Sequence, residues 1–221
     1  MIQLYLFIIG SCIGSFLLAT YQRLLLDKSI CIPRSHCDTC QKSLSGILLI
    51  PIVSYVYTKG RCFYCHFKIP TYTLLIEILF AIFYLALYYI FPHYLIYHTL
   101  LFSLLFFIST EDLATRKVHS TGILAIAGLI FFHRPTLIGF IFLSLVIVLS
   151  TEVFNIQSLF PHIGLADLEL ILCFAMVDSV EKLALTVLIA SLSMLPFHIA
   201  FKNHPLPFIP ALSLCFIILC I

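Results

Sequence analysis

Charged residues are scarce in this chain of 221 residues. Asp, Glu, Lys and Arg together make up 10% of the sequence, whereas 62% is hydrophobic and the mean hydropathy is +1.14. Soluble domains carry about 25% charged residues. The composition therefore lies far outside the soluble range and predicts a polytopic membrane protein.

Other signals are missing as well. The apolar N-terminal stretch lacks the basic region and the small-residue cleavage site of a secretory signal, so we expect it to be retained as a first span. The net charge is only +2, and no Lys/Arg run or mixture of basic and aromatic residues is present, which argues against nucleic acid as a partner. No glycine-rich cofactor loop and no internal repeat stand out.

Long apolar runs dominate what is present. Taking about 20 apolar residues per span, we predict eight membrane segments, at 2–20, 72–91, 94–110, 118–133, 136–154, 163–178, 182–201 and 206–221. The predicted fold class is therefore an all-α polytopic membrane protein of about eight transmembrane helices. One long polar segment, residues 21–71, lies between the first two helices.

Part of this polar segment is itself apolar. Residues 47–57 form an apolar run that is interrupted by Pro51 and is only about half a span long. We expect this run to be an interfacial or packed element rather than a membrane span.

The few basic residues are unevenly distributed. If the N terminus is outside, ten of the twelve fall in cytoplasmic loops and only Arg134 and Lys182 fall opposite. The ten are Arg23, Lys28, Arg34, Lys42, Lys59, Arg61, Lys68, Arg116, Lys117 and Lys202. The positive-inside rule then places segment 21–71 in the cytoplasm. Asp112 and Asp167 lie at the cytoplasmic ends of their segments, on the same side of the membrane.

Four of the nine cysteines form two C-x-x-C pairs in the polar segment. Cys37 and Cys40 are separated from Cys62 and Cys65 by residues 41–61. Two such pairs can complete a tetrahedral zinc site, and disulfides are rare in the cytoplasm, so we predict a structural zinc ion. Unmetallated thiols and a redox pair remain alternatives. His36 and His66, each next to one of the pairs, could replace a ligand or be solvated loop residues.

Two aspartates lie where an apolar run meets a polar turn. Asp112 and Asp167 each cost at least about 2.5 kcal/mol if ionised in lipid, so each should face a polar cavity or a partner. Two close carboxylates share one proton, and such a pair can activate water and polarise a carbonyl, as in aspartic proteases. Proton or ion translocation is the main alternative. A structural ion pair with Arg116 or Lys117 is another.

The other acids in apolar segments are less suited to this pair. Glu111 directly precedes Asp112, so on a helix it points about 100° away from that aspartate, toward loop or headgroups. Glu169 faces nearly the opposite side of its helix from the aspartate before it. Glu77 and Glu152 each stand alone in an apolar run, where a functional role and a buried hydrogen bond to Tyr or Ser are both open.

The pattern as a whole resembles the bacterial type IV prepilin leader peptidases, a family of intramembrane aspartic proteases. The similarity runs almost end to end. The matching motifs are G-S-F at 14–16 with Arg23, R-S-H-C-D-T-C at 34–40, I-P-I-V-S-Y at 50–55, G-R-C-F-Y-C at 60–65, Ile69, Glu77, Asp112 with Val118, G-L-A-D at 164–167 and P-F-I-P at 207–210. The doubled C-x-x-C and the G-x-x-D in this order are a specific combination.

Five positions depart from the family pattern. They are Leu18 for asparagine, Tyr72 for arginine, His119 for proline, Ala166 for the second glycine of the aspartate motif, and Glu169 for a basic residue. Both aspartates are retained, so the departures bear on substrate preference and on any second activity more than on proteolysis.

The resemblance implies an endopeptidase in which Asp112 and Asp167 are catalytic. Its substrates would be prepilin or pseudopilin precursors, cut on the cytoplasmic side of the inner membrane just before their hydrophobic helix. It also implies N-methylation of the new N terminus with S-adenosylmethionine. The predicted domains are a first transmembrane helix at 1–20, a cytoplasmic zinc-binding domain at 21–71 and a transmembrane aspartic peptidase domain at 72–221.

Other functional classes remain open. A proton-coupled carrier would use the same two aspartates, and a membrane thiol oxidoreductase would use the C-x-x-C pairs. Seven basic residues in segment 21–71 argue against the oxidoreductase, because its thiols would have to face outside. A non-catalytic assembly scaffold is the remaining possibility. Membrane lipid is an expected partner in every case.

Overall fold

The computed structural model describes residues 1–150, 164–177, 179–200 and 206–220, without the side chains of Ala200 and Cys220. These residues form helices and no strand, which confirms the all-α prediction. The helices are α1 (Ile2–Leu25), α2 (Val53–Tyr57), α3 (Thr71–Ile90), α4 (Leu95–Thr115), α5 (Ser120–His133), α6 (Leu137–Ser150), α7 (Leu165–Ala175), α8 (Val180–Ala200) and α9 (Ile209–Cys220). A short 3-10 helix, Gly46–Leu49, precedes α2.

Each of the eight predicted apolar segments overlaps with one of these helices. Among the described residues, α1, α3, α4 and α8 are long and apolar enough to cross a membrane, and α5, α6 and α9 are shorter apolar helices. The structure therefore fits a membrane protein, and the number of eight spans stays a prediction. Glu152, Lys202 and parts of four predicted segments lie outside the described residues.

The chain divides into two compact units, Met1–Leu95 and Ile96–Ile221. In the first unit, α1 packs along α3. The contact is close because α1 presents two glycines one turn apart, Gly10 and Gly14, the small-x-x-x-small pattern of packed membrane helices. A Cβ atom on Gly10 would lie 2.6 Å from the carbonyl oxygen of Phe80 and 2.9 Å from the Cα of Ala81.

Replacing Gly10 with alanine is expected to destabilise the protein by about 1–3 kcal/mol, because the added methyl group meets backbone atoms that cannot rotate away. Gly128 is the matched control, since a Cβ atom there meets nothing within 4 Å. Gly128→Ala should be neutral or stabilising by about 0.5–1 kcal/mol, as expected for glycine in a helix interior. Unfolding of the two variants in detergent measures the difference. Equal stability of the two would contradict the close packing.

In the second unit, α7 packs against α5, α6, α8 and α9. The ring of Phe174 on α7 stacks on Phe216 of α9 with their centroids 3.8 Å apart, and both rings are fully buried. Glu169 and Cys173 on the same helix are also fully buried. The helix that follows the G-L-A-D motif is therefore central in its unit, and this position fixes Asp167 at its first turn.

Candidate metal centre and carboxylate pair

The first C-x-x-C pair lies in a tight turn closed by backbone hydrogen bonds. The N–H of Cys37 donates to the carbonyl of Lys42 at 3.1 Å, and the N–H of Gln41 donates to the carbonyl of Cys37 at 2.8 Å. Gln41 has a φ of 57°, and His36 pairs with Ser43 in an isolated antiparallel bridge. This geometry turns both thiols toward one point.

The second pair repeats this turn 25 positions later in the chain. The N–H of Cys62 donates to Phe67 at 2.8 Å, and the N–H of His66 donates to Cys62 at 3.0 Å. His66 has a φ of 57°, as Gln41 does, and the antiparallel bridge joins Arg61 to Lys68. The sequence gives little sign of this repeat, because the two turns share only their cysteines and their backbone conformation.

The two turns bring the four thiols together. The Sγ atoms of Cys37, Cys40, Cys62 and Cys65 all lie within 4.8 Å of one another, and those of Cys37 and Cys65 are 3.8 Å apart. A tetrahedral zinc ion with Zn–S bonds of about 2.3 Å requires sulfurs about 3.8 Å apart, so this cluster fits zinc. Neither histidine belongs to it: Nδ1 of His36 lies 2.8 Å from the carbonyl of Arg34.

The surroundings of the cluster shift the pKa values of two of its thiols in opposite directions. The backbone N–H of Cys65 lowers the pKa of Cys62 to about 7. The backbone N–H of Phe67 also lowers the pKa of Cys65, but desolvation and the three neighbouring thiols outweigh it and raise that pKa to about 11. Four thiolates so close together need a dication to neutralise them, as a zinc site supplies.

In the second unit, Asp112 is held by the start of α9. Its Oδ2 accepts a hydrogen bond of 3.2 Å from the backbone N–H of Ile209, the first residue of that helix. Ile209 belongs to the P-F-I-P motif, almost a hundred residues further along the chain. Folding therefore explains why this C-terminal motif accompanies the first aspartate: it supplies a donor to the carboxylate. Arg116 contributes a favourable charge.

Asp167 lies in the first turn of α7, three residues after Gly164 at the N-cap. A Cβ atom on Gly164 would lie 2.7 Å from Oδ2 of Asp167, so the carboxylate occupies the space that the glycine leaves open. The start of a helix also favours a negative charge. Asp112 and Asp167 lie close enough for their charges to interact. The structure thus places the two aspartates that the sequence singled out within electrostatic range of each other.

Glu111 differs from its prediction. It was expected to point toward loop or headgroups, but it is 5% exposed. Its carboxylate accepts a hydrogen bond from the backbone N–H of His119 at 3.4 Å and lies 3.2 Å from Nδ1 of the same residue. The hydrogen bond from the N-cap residue of α5 holds this carboxylate inside the protein. A proline at position 119 has no N–H to donate, so the histidine in this chain adds a bond.

Glu169 is fully buried, and neither of its carboxylate oxygens has a hydrogen-bond partner among the described residues. Its position two residues after Asp167 turns it into the interior of the helix packing. An isolated ionised carboxylate is too costly in such surroundings, so we expect Glu169 to be neutral.

Replacing Glu169 with leucine is expected to stabilise the protein by about 1–3 kcal/mol, because it removes a buried polar group without a partner. Glu181 is the matched control: it is exposed in the first turn of α8, and its replacement by leucine should change stability by less than about 0.5 kcal/mol. Denaturant unfolding in detergent measures both. A less stable Glu169→Leu variant would mean that the carboxyl has a partner in the folded protein.

Glu77 makes a buried hydrogen bond, but to the backbone rather than to Tyr or Ser. Its Oε2 accepts a bond of 2.7 Å from the N–H of Ile52 and the residue is 8% exposed. Glu77 lies on α3 and Ile52 lies in the I-P-I-V-S-Y motif. Two motifs that are 25 residues apart are therefore joined inside the first unit.

The N-terminal part of the chain is similar to known proteins. Residues 8–91 match the bacterial peptidase A24 N-terminal domain. A protein of Myxococcus xanthus (strain DK1622) named prepilin leader peptidase/N-methyltransferase is 37% identical over 82 residues, which are 37% of this chain and 24% of the relative. A Bacillus subtilis (strain 168) protein of the same name is 40% identical over 80 residues, 34% of this chain and 32% of the relative.

A third relative, from Escherichia coli O78:H11 (strain H10407 / ETEC), is named type 4 prepilin-like proteins leader peptide-processing enzyme. It is 40% identical over 57 residues, 26% of this chain and 21% of the relative. The chain thus covers less than a third of the length of each curated relative it matches. No solved structure is significantly similar to it.

The metal cluster and the Glu77 bond lie within the matched residues, whereas Asp112 and Asp167 lie beyond them. The motifs of both units nevertheless predicted the same family, and the named relatives agree with it. These comparisons confirm the predicted resemblance of the N-terminal part of the chain to the type IV prepilin peptidase family.

Proposed function

We propose that this protein is an aspartic endopeptidase that removes the leader from prepilin-like precursors, with Asp112 and Asp167 as its catalytic pair. The observation that carries the proposal is that two carboxylates from separate helices, α4 and α7, lie within range of each other's charge. The motif order of the sequence predicts these two acids. The names of the relatives supply the reaction.

The chemistry follows from the surroundings of the two acids. Interacting carboxylates do not both ionise readily, so the pair holds one proton. The ionised member accepts a proton from water as the water attacks the scissile carbonyl, and the protonated member donates a hydrogen bond to the carbonyl oxygen. The N–H of Ile209 and the N terminus of α7 hold the carboxylates in place.

We place the reaction at the cytoplasmic edge of the inner membrane. The excess of basic residues in the loops on one side supports this orientation. The substrate would carry a short basic leader that ends just before a hydrophobic helix, because only such a bond reaches acids at the ends of membrane segments. Its products would assemble into pili, type II secretion pseudopili or competence pili.

The zinc ion that the cysteine cluster fits would be structural. Four protein sulfurs leave no open position for water, so the metal would stabilise the polar segment and take no part in peptide cleavage. N-methylation of the new N terminus with S-adenosylmethionine is supported by the names of two relatives. The cysteine domain lies in the part of the chain that matches them.

The test is cleavage of a purified pilin precursor by the chain in lipid nanodiscs, read by the mass of the product. The expected product is shorter by the leader, and a chain in which both aspartates are replaced by asparagine should leave the precursor intact. If a panel of precursors stays uncut and the chain in proteoliposomes moves protons in a manner that depends on Asp167, the protein is a carrier and the proposal is wrong.

A further inference from the structure

The apolar run in the polar segment lies beside the membrane-spanning part of α3. Ile52 donates its N–H to Glu77, which is six residues inside α3. At 1.5 Å per residue, this bond is about 9 Å from the helix end at Thr71. The helix has 20 residues, and a helix of that length is about 30 Å long, which matches the hydrocarbon core of a bilayer. Ile52 is therefore within the span.

The position of the segment beside α1 supports a similar depth of the segment in the membrane. Leu49 of the 3-10 helix lines a cavity together with Phe16 and Thr20 of α1. The predicted first span ends at residue 20, so Thr20 lies at the edge of the span and Phe16 lies about 6 Å inside it. Both flanking helices thus place residues 46–58 at a depth where interfacial helices lie, about 5–10 Å into the boundary of headgroups and acyl chains.

The side chains of this segment suit lipid rather than water. No charged residue occurs between Lys42 and Lys59. Six apolar side chains of the segment are between 45% and 65% exposed on the surface of the chain: Ile47, Leu49, Ile50, Val53, Val56 and Tyr57. Several exposed apolar side chains in a short segment flanked by lysines are the pattern of a segment that lies in the membrane interface.

The backbone N–H groups directly after Pro51 are also paired within the protein. Ile52 has φ 62° and ψ −53°, and the N–H of Val53 donates to the carbonyl of Pro51 at 2.6 Å, which closes a γ-turn. Pro51 has no N–H, the N–H of Ile52 goes to Glu77, and that of Ser54 goes to Ile50 at 2.9 Å. Non-helical backbone at membrane depth is tolerated only when its polar groups are paired in this way.

We propose that residues 46–58 are a membrane anchor that inserts its exposed apolar side chains into the lipid beside α1 and α3. Lys42 and Lys59 lie at the level of the lipid headgroups. The polar segment 21–71 carries seven basic and two acidic residues, so its charge complements an anionic bilayer surface. Lipid, rather than a second protein, is the occupant of this surface. The anchor fixes the cysteine domain against the membrane, independently of the catalytic proposal.

The chain contains no tryptophan, so one introduced tryptophan reports on its own surroundings. We would place Val56→Trp in the full chain in nanodiscs whose lipids carry bromine on the acyl chains. Leu79→Trp, at a 64% exposed position in the middle of α3, is the lipid-facing reference. Thr39→Trp, in the exposed turn of the first cysteine pair, is the water-facing reference. Tyr57→Trp is a conservative second probe if Val56→Trp does not fold.

The expected result is quenching of Val56→Trp by the brominated lipids to an extent comparable with Leu79→Trp, and little quenching by aqueous iodide. Quenching by iodide, as for Thr39→Trp, would mean that the segment faces water and would overturn the proposal. Fluorescence insensitive to both quenchers would mean that protein covers the surface, and would overturn it equally. Unchanged zinc content in each variant confirms that the cysteine domain remains folded.

Discussion

Asp167→Asn is expected to reduce leader cleavage by at least about 10²–10⁴-fold, and Asp112→Asn by a similar factor. Asparagine keeps the shape of each side chain but cannot carry the charge or the shared proton. The remaining aspartate then has no partner of the opposite protonation state, so it cannot both activate water and polarise the carbonyl. The measurement is kcat/KM for a pilin precursor, followed by the mass of the product.

Glu181→Gln is the matched control, because it neutralises an exposed acid of the same unit without touching either aspartate. Gly164→Ala gives a finer test. The alanine methyl group would lie 2.7 Å from Oδ2 of Asp167 and displace the carboxylate while leaving the acid in the chain. We expect a fall in kcat with the fold retained. Full activity of either asparagine variant would exclude a catalytic pair of aspartates.

Cys62→Ser is expected to remove the metal, lowering bound zinc from about one ion per chain to nearly none. Structural zinc contributes about 10–16 kcal/mol of apparent binding free energy in small zinc domains, and that free energy stabilises the fold. A serine hydroxyl does not replace a thiolate as a soft ligand. Elemental analysis of the purified protein measures the metal, and limited proteolysis measures the loss of structure in residues 21–71.

Cys31→Ser is the control for this experiment. Cys31 is exposed in the same polar segment but is not part of the cluster. It should retain the zinc of the unmodified chain and its resistance to protease. Zinc that is absent from the unmodified protein, or that survives Cys62→Ser, would contradict a four-cysteine zinc site.

Elements that depend on local sequence could be predicted. The helices of the apolar segments follow from the apolar runs, since such a run has little choice of conformation in lipid. The cysteine cluster follows from the doubled C-x-x-C, whose spacing fixes two ligands per turn. The two aspartates stand out because an ionised carboxylate at the edge of an apolar run carries a free-energy penalty, so such residues are usually functional.

Contacts between distant segments could not be predicted. Nothing near Ile209 signals that its N–H reaches Asp112, and nothing near Ile52 signals that its N–H reaches Glu77. Each bond is donated by a backbone N–H, which every residue except proline has, so the residue type does not reveal the bond. The burial of Glu111 was missed for the same reason: its partner is the N–H at the start of the next helix.

The close packing of Gly10 against Phe80 and Ala81 sets an order for the biosynthesis of this protein. Cys65 leaves the ribosome before α3 begins at Thr71, so all four thiols are available to metal before the partner of α1 exists. Translation proceeds at about 5–20 residues per second, so the stretch from Leu25 to Ile90 takes about 3–13 s. During those seconds α1 has not yet met α3, so metal binding by the cysteines can precede the pairing of the two helices.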